Sequence, residues 1–150
     1  MSSVSRVLVP MDGSPLSKQS LEVALSEYPE ATVVVLHVID PTQPGYSYPV
    51  ECDLDSEPLH GSEAWYERSE ELAERLFSEV RMLADDYDRT VVTETAVGDP
   101  GQKIVDRSEN SDIDQVIIGS HGRSEAQRDL LGSVTETVVF RSPVRVLLVR

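Results

Sequence analysis

Two stretches of the chain carry residue types suited to holding a phosphate ester. The first is Val9-Pro10-Met11-Asp12-Gly13, an apolar run ending on an acid and a glycine. The second is Ile118-Gly119-Ser120-His121-Gly122, followed further on by Gly132-Ser133-Val134-Thr135. Glycine lets backbone come close to an anion. A helix opening at Gly132-Ser133 would aim its unpaired N–H groups and the positive end of its dipole at that anion. The hydroxyls of Ser133 and Thr135 add donors. A carboxylate such as Asp12 at a strand end can accept hydrogen bonds from ribose hydroxyls. Together these residue types describe a pocket for a mononucleotide. Neither G-x-G-x-x-G nor G-x-x-x-x-G-K-[ST] occurs, which excludes the dinucleotide fingerprint and the P-loop.

Other reactive side chains carry less. His121, between two loop glycines, can either touch a phosphate or serve as a locally satisfied loop histidine. Arg123 and Arg128 can neutralise phosphate charge or simply balance acids such as Asp129. His37 falls in an apolar run and reads as a core histidine; His60 reads as solvated. Ser14 reads as a helix cap. Cys52 is the single cysteine, so neither an internal disulfide nor a cysteine metal cluster is available. No Ser/His/Asp arrangement or carboxylate pair stands out, and we assign no catalytic group.

The elements that must position these residues alternate. Val4 to Pro10 and Ala31 to Ile39 are apolar without strict alternation, as in strands buried on both faces. Between them, Ser14-Pro15 starts a helix with Ser17, Leu21, Ala24 and Tyr28 on one stripe, closed by Pro29. Residues 40–61 hold four prolines and several acids and read as a long surface loop. Ser62 caps a helix to about Tyr87, with Trp65, Leu72, Leu76, Val80, Leu83 and Tyr87 inward. Thr90 to Val97 is a strand. Asp99-Pro100 opens a short helix carrying Ile104 and Val105. Asp114 to Gly119 is a strand. Leu130 to Arg141 is a helix with Leu131, Val134 and Val138 inward. Val144 to Val149 is the last strand. This alternation predicts an α/β three-layer sandwich on a parallel sheet, a single domain over residues 1–150. In such sheets, ligands bind beyond the carboxyl ends of the strands.

Composition narrows the class. The chain has 150 residues, 27 acids against 13 Lys+Arg, and a net charge of −14. Phosphate-backbone binding needs a basic footprint, so a nucleic-acid partner is excluded. An anionic membrane surface is disfavoured for the same reason. There is no apolar run near 20 residues and no leader pattern, so a cytoplasmic location is expected. Only Lys18 and Lys103 are lysines. Between residues 51 and 89, 13 acids face four arginines, a net of −9. Such self-repulsion is relieved by salt, and we read the bias as adaptation to a high-salt cytoplasm.

The spacing G-x-x-G-x9-G-S, from Gly119 and Gly122 to Gly132-Ser133, resembles the ATP-binding signature of the universal stress protein family. The opening Val7-Leu8-Val9-Pro10-Met11-Asp12-Gly13-Ser14, the run Leu36-His37-Val38-Ile39-Asp40 and the ending from Pro143 to Val149 are similar to the same family. The resemblance spans nearly the whole chain. It implies a Rossmann-like, adenine nucleotide α-hydrolase-like fold with strand order 3-2-1-4-5. It implies ATP, or AMP or ADP, between the first and fourth strand ends, usually with Mg2+ or Mn2+ bridging the phosphates. By the family's pattern Pro10 and Asp12 line the adenosine, with Asp12 taking the ribose. Val38 offers its backbone to adenine, and Ile118 and Gly119 border the sugar. Gly122, Gly132, Ser133, Val134 and Thr135 hold the phosphates, with His121 and Arg123 within reach of them. Many members continue after the second glycine with Arg-x-Gly-Leu. Here Arg123-Ser124-Glu125-Ala126 follows, which sets Glu125 and Asp129 near the triphosphate charge. A homodimer through the last strand is expected, because Arg145 to Val149 is a short apolar sheet edge and the family's dimers pair there.

Two classes of function compete. One is a nucleotide-binding stress or regulatory protein; the other is an ATP-using enzyme of the related superfamily. The chain has no spare segment for substrate beyond the 40–61 loop, which favours the first. A third reading, a member that has lost its nucleotide and works through protein contacts, conflicts with the intact glycine spacing.

Overall fold

The computed structural model describes residues 4–41, 61–110, 112–121 and 132–150. The strands are β1 (Arg6–Pro10), β2 (Thr32–Ile39), β3 (Val92–Val97), β4 (Gln115–Gly119) and β5 (Arg145–Val149). The helices are α1 (Pro15–Glu27), α2 (Glu63–Asp85), α3 (Pro100–Ser108) and α4 (Ser133–Arg141). All strand pairs are parallel, in the order β3-β2-β1-β4-β5. Each strand starts one or two residues later than its apolar run, because the first residue of each run lies before the paired register begins.

Three of the helices, α1, α2 and α3, start on a capping side chain. Ser14 Oγ accepts from Ser17 N–H, and Pro15 occupies the first turn. Ser62 Oγ accepts from Trp65 N–H. Asp99 accepts from Gln102 N–H at 2.9 Å ahead of Pro100. At its other end α2 stops before Tyr87. Asp88 takes φ +55, and Arg89 N–H reaches back to the Ala84 carbonyl at 3.0 Å, a left-handed C-terminal turn. The Arg89 guanidinium then closes α1, donating to the carbonyls of Leu25, Tyr28 and Ala31.

Two cores sandwich the sheet. Val7, Val9, Val33, Val35 and Ile117 face α1 and α2, meeting Leu21, Leu25, Phe77 and Val80. Leu8, Val34, Leu36, Val116 and Ile118 face the other way, meeting Ile104, Val105 and Val138. Both faces are covered, which is why the strands read as unbroken apolar runs. The buried stripe of α2 differs from the expected one. Trp65, Leu72 and Val80 are buried as expected, but Ser69, Ala73, Phe77 and Ala84 share the interior while Leu76, Leu83 and Tyr87 lie half-buried at its margin. Small residues at 73 and 84 let the helix approach the sheet, and the longer leucines reach over its edge. Likewise Tyr28 caps α1 half-buried while Ser20 and Leu25 go inside. Helix α4 begins at Ser133; the expected positions Leu130 and Leu131 lie outside the described residues, as does most of the 40–61 loop with Cys52 and His60.

An ion cluster joins α3 to two sheet-side elements. Arg107 pairs with Glu94 of β3 at 2.8 Å and with Asp112 at 3.0 Å, and Arg6 lies 3.3 Å from Asp112. The Arg107 hydrogen bond holds the Asp112 carboxyl below the usual carboxylate range, partial burial opposes this, and the charges of Arg107 and Arg6 add to it. Arg107 is pushed up in turn, chiefly by its bonds to Glu94 and Asp112. A depressed carboxylate pKa stabilises the fold above the unfolded value and loses that contribution as pH falls through the folded one. Asp112→Asn is therefore expected to lower the melting temperature slightly at pH 7. The gap between parent and variant closes as the pH drops below 3.8, the unfolded value. Melting curves across a pH series check this; a gap constant with pH contradicts it.

Candidate functional site

The chain leaves β1 for β2 and β3, then returns through α3 to β4 on the other side of β1. The carboxyl ends of β1 and β4 therefore flank the point where the winding reverses, the usual ligand crevice of such sheets. The two strands pair only at Val7↔Gln115 and Leu8↔Val116, so they part before their ends and open that crevice.

From the β1 side come Pro10 and Asp12, both buried. Gly13 takes φ +83, a conformation that glycine adopts without strain, and turns the chain into α1. The Asp12 carboxylate accepts from Ser14 N–H at 2.9 Å, which fixes its orientation across the turn. From the β4 side come Ile118, Gly119 and Ser120, all buried. Helix α4 is pinned to that strand end by two bonds. Gly132 N–H donates to the Ser120 carbonyl at 2.7 Å, and Thr135 Oγ1 donates to the Gly119 carbonyl at 2.7 Å. The helix N-cap is Gly132, which has no side-chain cap bond. The amides of Val134 and Thr135, in the first turn, have no carbonyl partner within the helix. An N-terminus with this geometry favours an anion.

β2 contributes backbone. Its register with β1 ends at Pro10↔Leu36. The Leu36 carbonyl accepts from Met11 N–H on the β1 side, and the Ile39 carbonyl accepts from Gly98 N–H on the β3 side. Alternate residues of a parallel strand turn their N–H and C=O to the same neighbour, so Val38 presents both toward β1. At that level β1 has ended. One residue thus offers an adjacent donor and acceptor at the rim of the crevice.

The structure thus groups Pro10, Asp12, Val38, Ile118, Gly119, Gly132, Ser133, Val134 and Thr135 around the ends of β1, β2 and β4. Three roles read differently from the expectation. The one hydroxyl hydrogen of Thr135 goes to the Gly119 carbonyl, so Thr135 anchors the helix to β4 instead of donating to a ligand. Gly119 is required by packing: a Cβ there would lie 2.7 Å from Leu16 Cβ. Gly132 has φ −71 and ψ 164, which any residue adopts, so only the space before the helix can require glycine. His121 makes a local contact, its Nδ1 3.1 Å from Ser120 Oγ. Gly122, Arg123, Glu125, Arg128 and Asp129 lie outside the described residues. His37 is buried as expected, with Nδ1 2.8 Å from the Met11 carbonyl. The only signal for that partner was that an apolar strand carried a donor at all.

Leu16 Cβ is fixed to helix backbone and cannot rotate away from a methyl at 119. Gly119→Ala is expected to push α1 off β4 and cost about 1–3 kcal/mol of overpacking. For a chain of this size that lowers the melting temperature by roughly 5 °C. Differential scanning calorimetry measures it; an unchanged melting point would mean that α1 does not rest on Gly119.

Among the described residues no group of three or more His, Cys, Asp or Glu is placed to hold a metal ion. No helix among them is long and apolar enough to cross a membrane.

Comparison with known proteins agrees with this geometry. The model of the universal stress protein family matches residues 3–150. A universal stress protein of Methanocaldococcus jannaschii is 28% identical over 149 residues, covering 97% of this chain and 81% of that one. Among solved structures, the universal stress protein UspA of Lactobacillus plantarum superposes with a TM-score of 0.75 at 21% identity, covering 100% of both chains. A universal stress protein in complex with cAMP superposes at 0.69 with 21% identity over 99% of this chain and 98% of its own. One from Archaeoglobus fulgidus in complex with dAMP superposes at 0.63 with 17% identity over 100% of both. The family match over nearly the whole length, on a sheet of this order with this crevice, places the chain in the universal stress protein family.

Proposed function

We propose that the chain, as one domain over residues 1–150, binds an adenine nucleotide in the crevice between β1 and β4 and acts as a nucleotide-dependent regulator. The observation that carries this is the Val38 edge. Adenine presents an acceptor, N1, beside a donor, the 6-amino group. Val38 presents the complementary N–H and C=O past the end of β1. Asp12 lies at the ribose position and the α4 N-terminus at the phosphate position, with Pro10, Ile118 and Gly119 as walls. Two of the similar structures hold adenine nucleotides, cAMP and dAMP, which supports the class of ligand. With ATP, Mg2+ or Mn2+ would offset part of the phosphate charge.

On its described residues, the pocket is suited to holding ATP more than to splitting it. Phosphoryl transfer needs positive charge on the γ-phosphate and a group to orient the attacking water. Lys18 lies 3.7 Å from Glu79 of α2, and Lys103 lies against Gly98; neither is at the start of α4. The test is mass spectrometry of the small molecule that copurifies with the protein, followed by ADP release from preloaded, stoichiometric ATP. An adenine nucleotide lost over many minutes is the expected result. Turnover of order one per second would move the ATP-using enzyme to first place.

We also propose a homodimer through β5. This strand is a sheet edge whose residues are half-buried or exposed, and Phe140 near the end of α4 is 77% exposed. Exposed apolar edges invite pairing. Light scattering on the full chain should give a dimer, and truncation before Pro143 should remove it.

A further inference from the structure

The β1–β2 ladder stops one bond short of where its sequence would let it run. After Met11 N–H donates to the Leu36 carbonyl, the next bond in a parallel ladder joins Val38 N–H to the Met11 carbonyl. Among the described residues that bond is not made. The Met11 carbonyl accepts from His37 Nδ1 instead, at 2.8 Å in a buried setting. A carbonyl cannot donate, so Nδ1 carries a proton, and the imidazole is held in one orientation.

We infer that His37 is a positioning residue that keeps the Val38 N–H out of the sheet and available to the base of the nucleotide. The inference rests on the adenine reading above. The imidazole draws the Met11 carbonyl out of the line in which it would meet Val38 N–H. Without that pull the ladder closes by one rung, and the donor at the crevice rim is consumed by the protein's own backbone. The acceptor, Val38 C=O, stays where it is. Base discrimination therefore suffers more than phosphate binding. AMP offers N1 as an acceptor to Val38 N–H; IMP offers N1–H, a donor that would face a donor.

Three chains test this: the parent, His37→Leu and His37→Asn. The asparagine amide nitrogen reaches about the position of imidazole Nδ1 and keeps a donor for Met11. NMR coupling across a hydrogen bond reads the Val38 nitrogen against the Met11 carbonyl carbon, with no nucleotide present. Calorimetry reads AMP and IMP affinities. The expected result is a new Val38–Met11 coupling in His37→Leu, with its AMP-over-IMP preference reduced at least tenfold. His37→Asn shows no coupling and a preference near that of the parent. A folded His37→Leu without the coupling overturns the bond switch. The coupling with an unchanged preference overturns its role in reading the base. If the parent binds neither nucleotide, the adenine reading fails, while the coupling still decides the bond.

Discussion

Gly132→Val abolishes adenine-nucleotide binding and leaves the fold intact: that is the largest effect expected of a single substitution in this chain. The backbone at 132 has φ −71 and ψ 164, so valine meets no conformational barrier. The N–H at 132 still reaches the Ser120 carbonyl, and Thr135 still ties the helix to Gly119. What changes is the space in front of the first turn. A branched side chain there stands between the phosphate and the amides of Val134 and Thr135, and it desolvates the anion without offering a donor. Losing that contact removes charge-assisted hydrogen bonds of about 1.5–3 kcal/mol each. Two such bonds amount to a hundredfold or more in affinity. Titration calorimetry with AMP and ATP in high salt measures the loss, and circular dichroism confirms the fold. Parental affinity in the variant would place the phosphate elsewhere.

The second large effect is expected from salt. The net charge is −14, and the outer face of α2 exposes Glu63, Glu67, Glu70 and Asp85 to solvent. The ion pairs on that helix, Arg68–Glu71, Arg81–Glu74 and Lys18–Glu79, are on exposed side chains, and pairs of that kind contribute little. Screening length falls from about 10 Å at 0.1 M to about 3 Å at 1 M salt. The repulsion between neighbouring carboxylates on the helix is then largely removed, while the two cores tighten or stay as they are. The melting temperature should rise on the order of 10 °C between dilute and molar KCl. Glu67→Gln with Glu70→Gln should raise the low-salt end and flatten the curve. A melting point that falls with KCl would show that the surface pairs outweigh the repulsion.

The strand and helix sequence was legible because burial on both faces leaves a plain mark, as in Val33 to Ile39. The caps at Ser14, Ser62 and Asp99 were equally plain, since each needs only its own side chain and the amide three residues on. The strand order was not legible from the residues; it came from the family resemblance, because nothing local in β1 says that β2 and β4 will lie on either side. The site split along the same line. Residue types at strand ends named the crevice. What they could not say was the partner of each group. A threonine hydroxyl is a donor in any sequence, but that it turns to Gly119 is a fact of how α4 docks. Gly119 looked like a glycine for an anion, and its neighbour Leu16 became visible only when α1 was laid on β4. His37 and Met11 are 26 residues apart, and only the parallel register brings them level.

The outermost strand is wired to the pocket. The carbonyl of Val149, at the end of β5, accepts from Ser120 N–H at 2.7 Å, and the carbonyl of the same Ser120 accepts from Gly132 N–H at 2.7 Å. The edge of the sheet and the start of α4 are thus linked through one residue, Ser120. A displacement of β5 would reach the amides that would meet the anion through these two hydrogen bonds. If β5 pairs with another chain and the crevice takes the nucleotide proposed above, the two events would be coupled, each shifting the other to the same degree. Such a protein would report its nucleotide to whatever grips its last strand, with a lever two hydrogen bonds long.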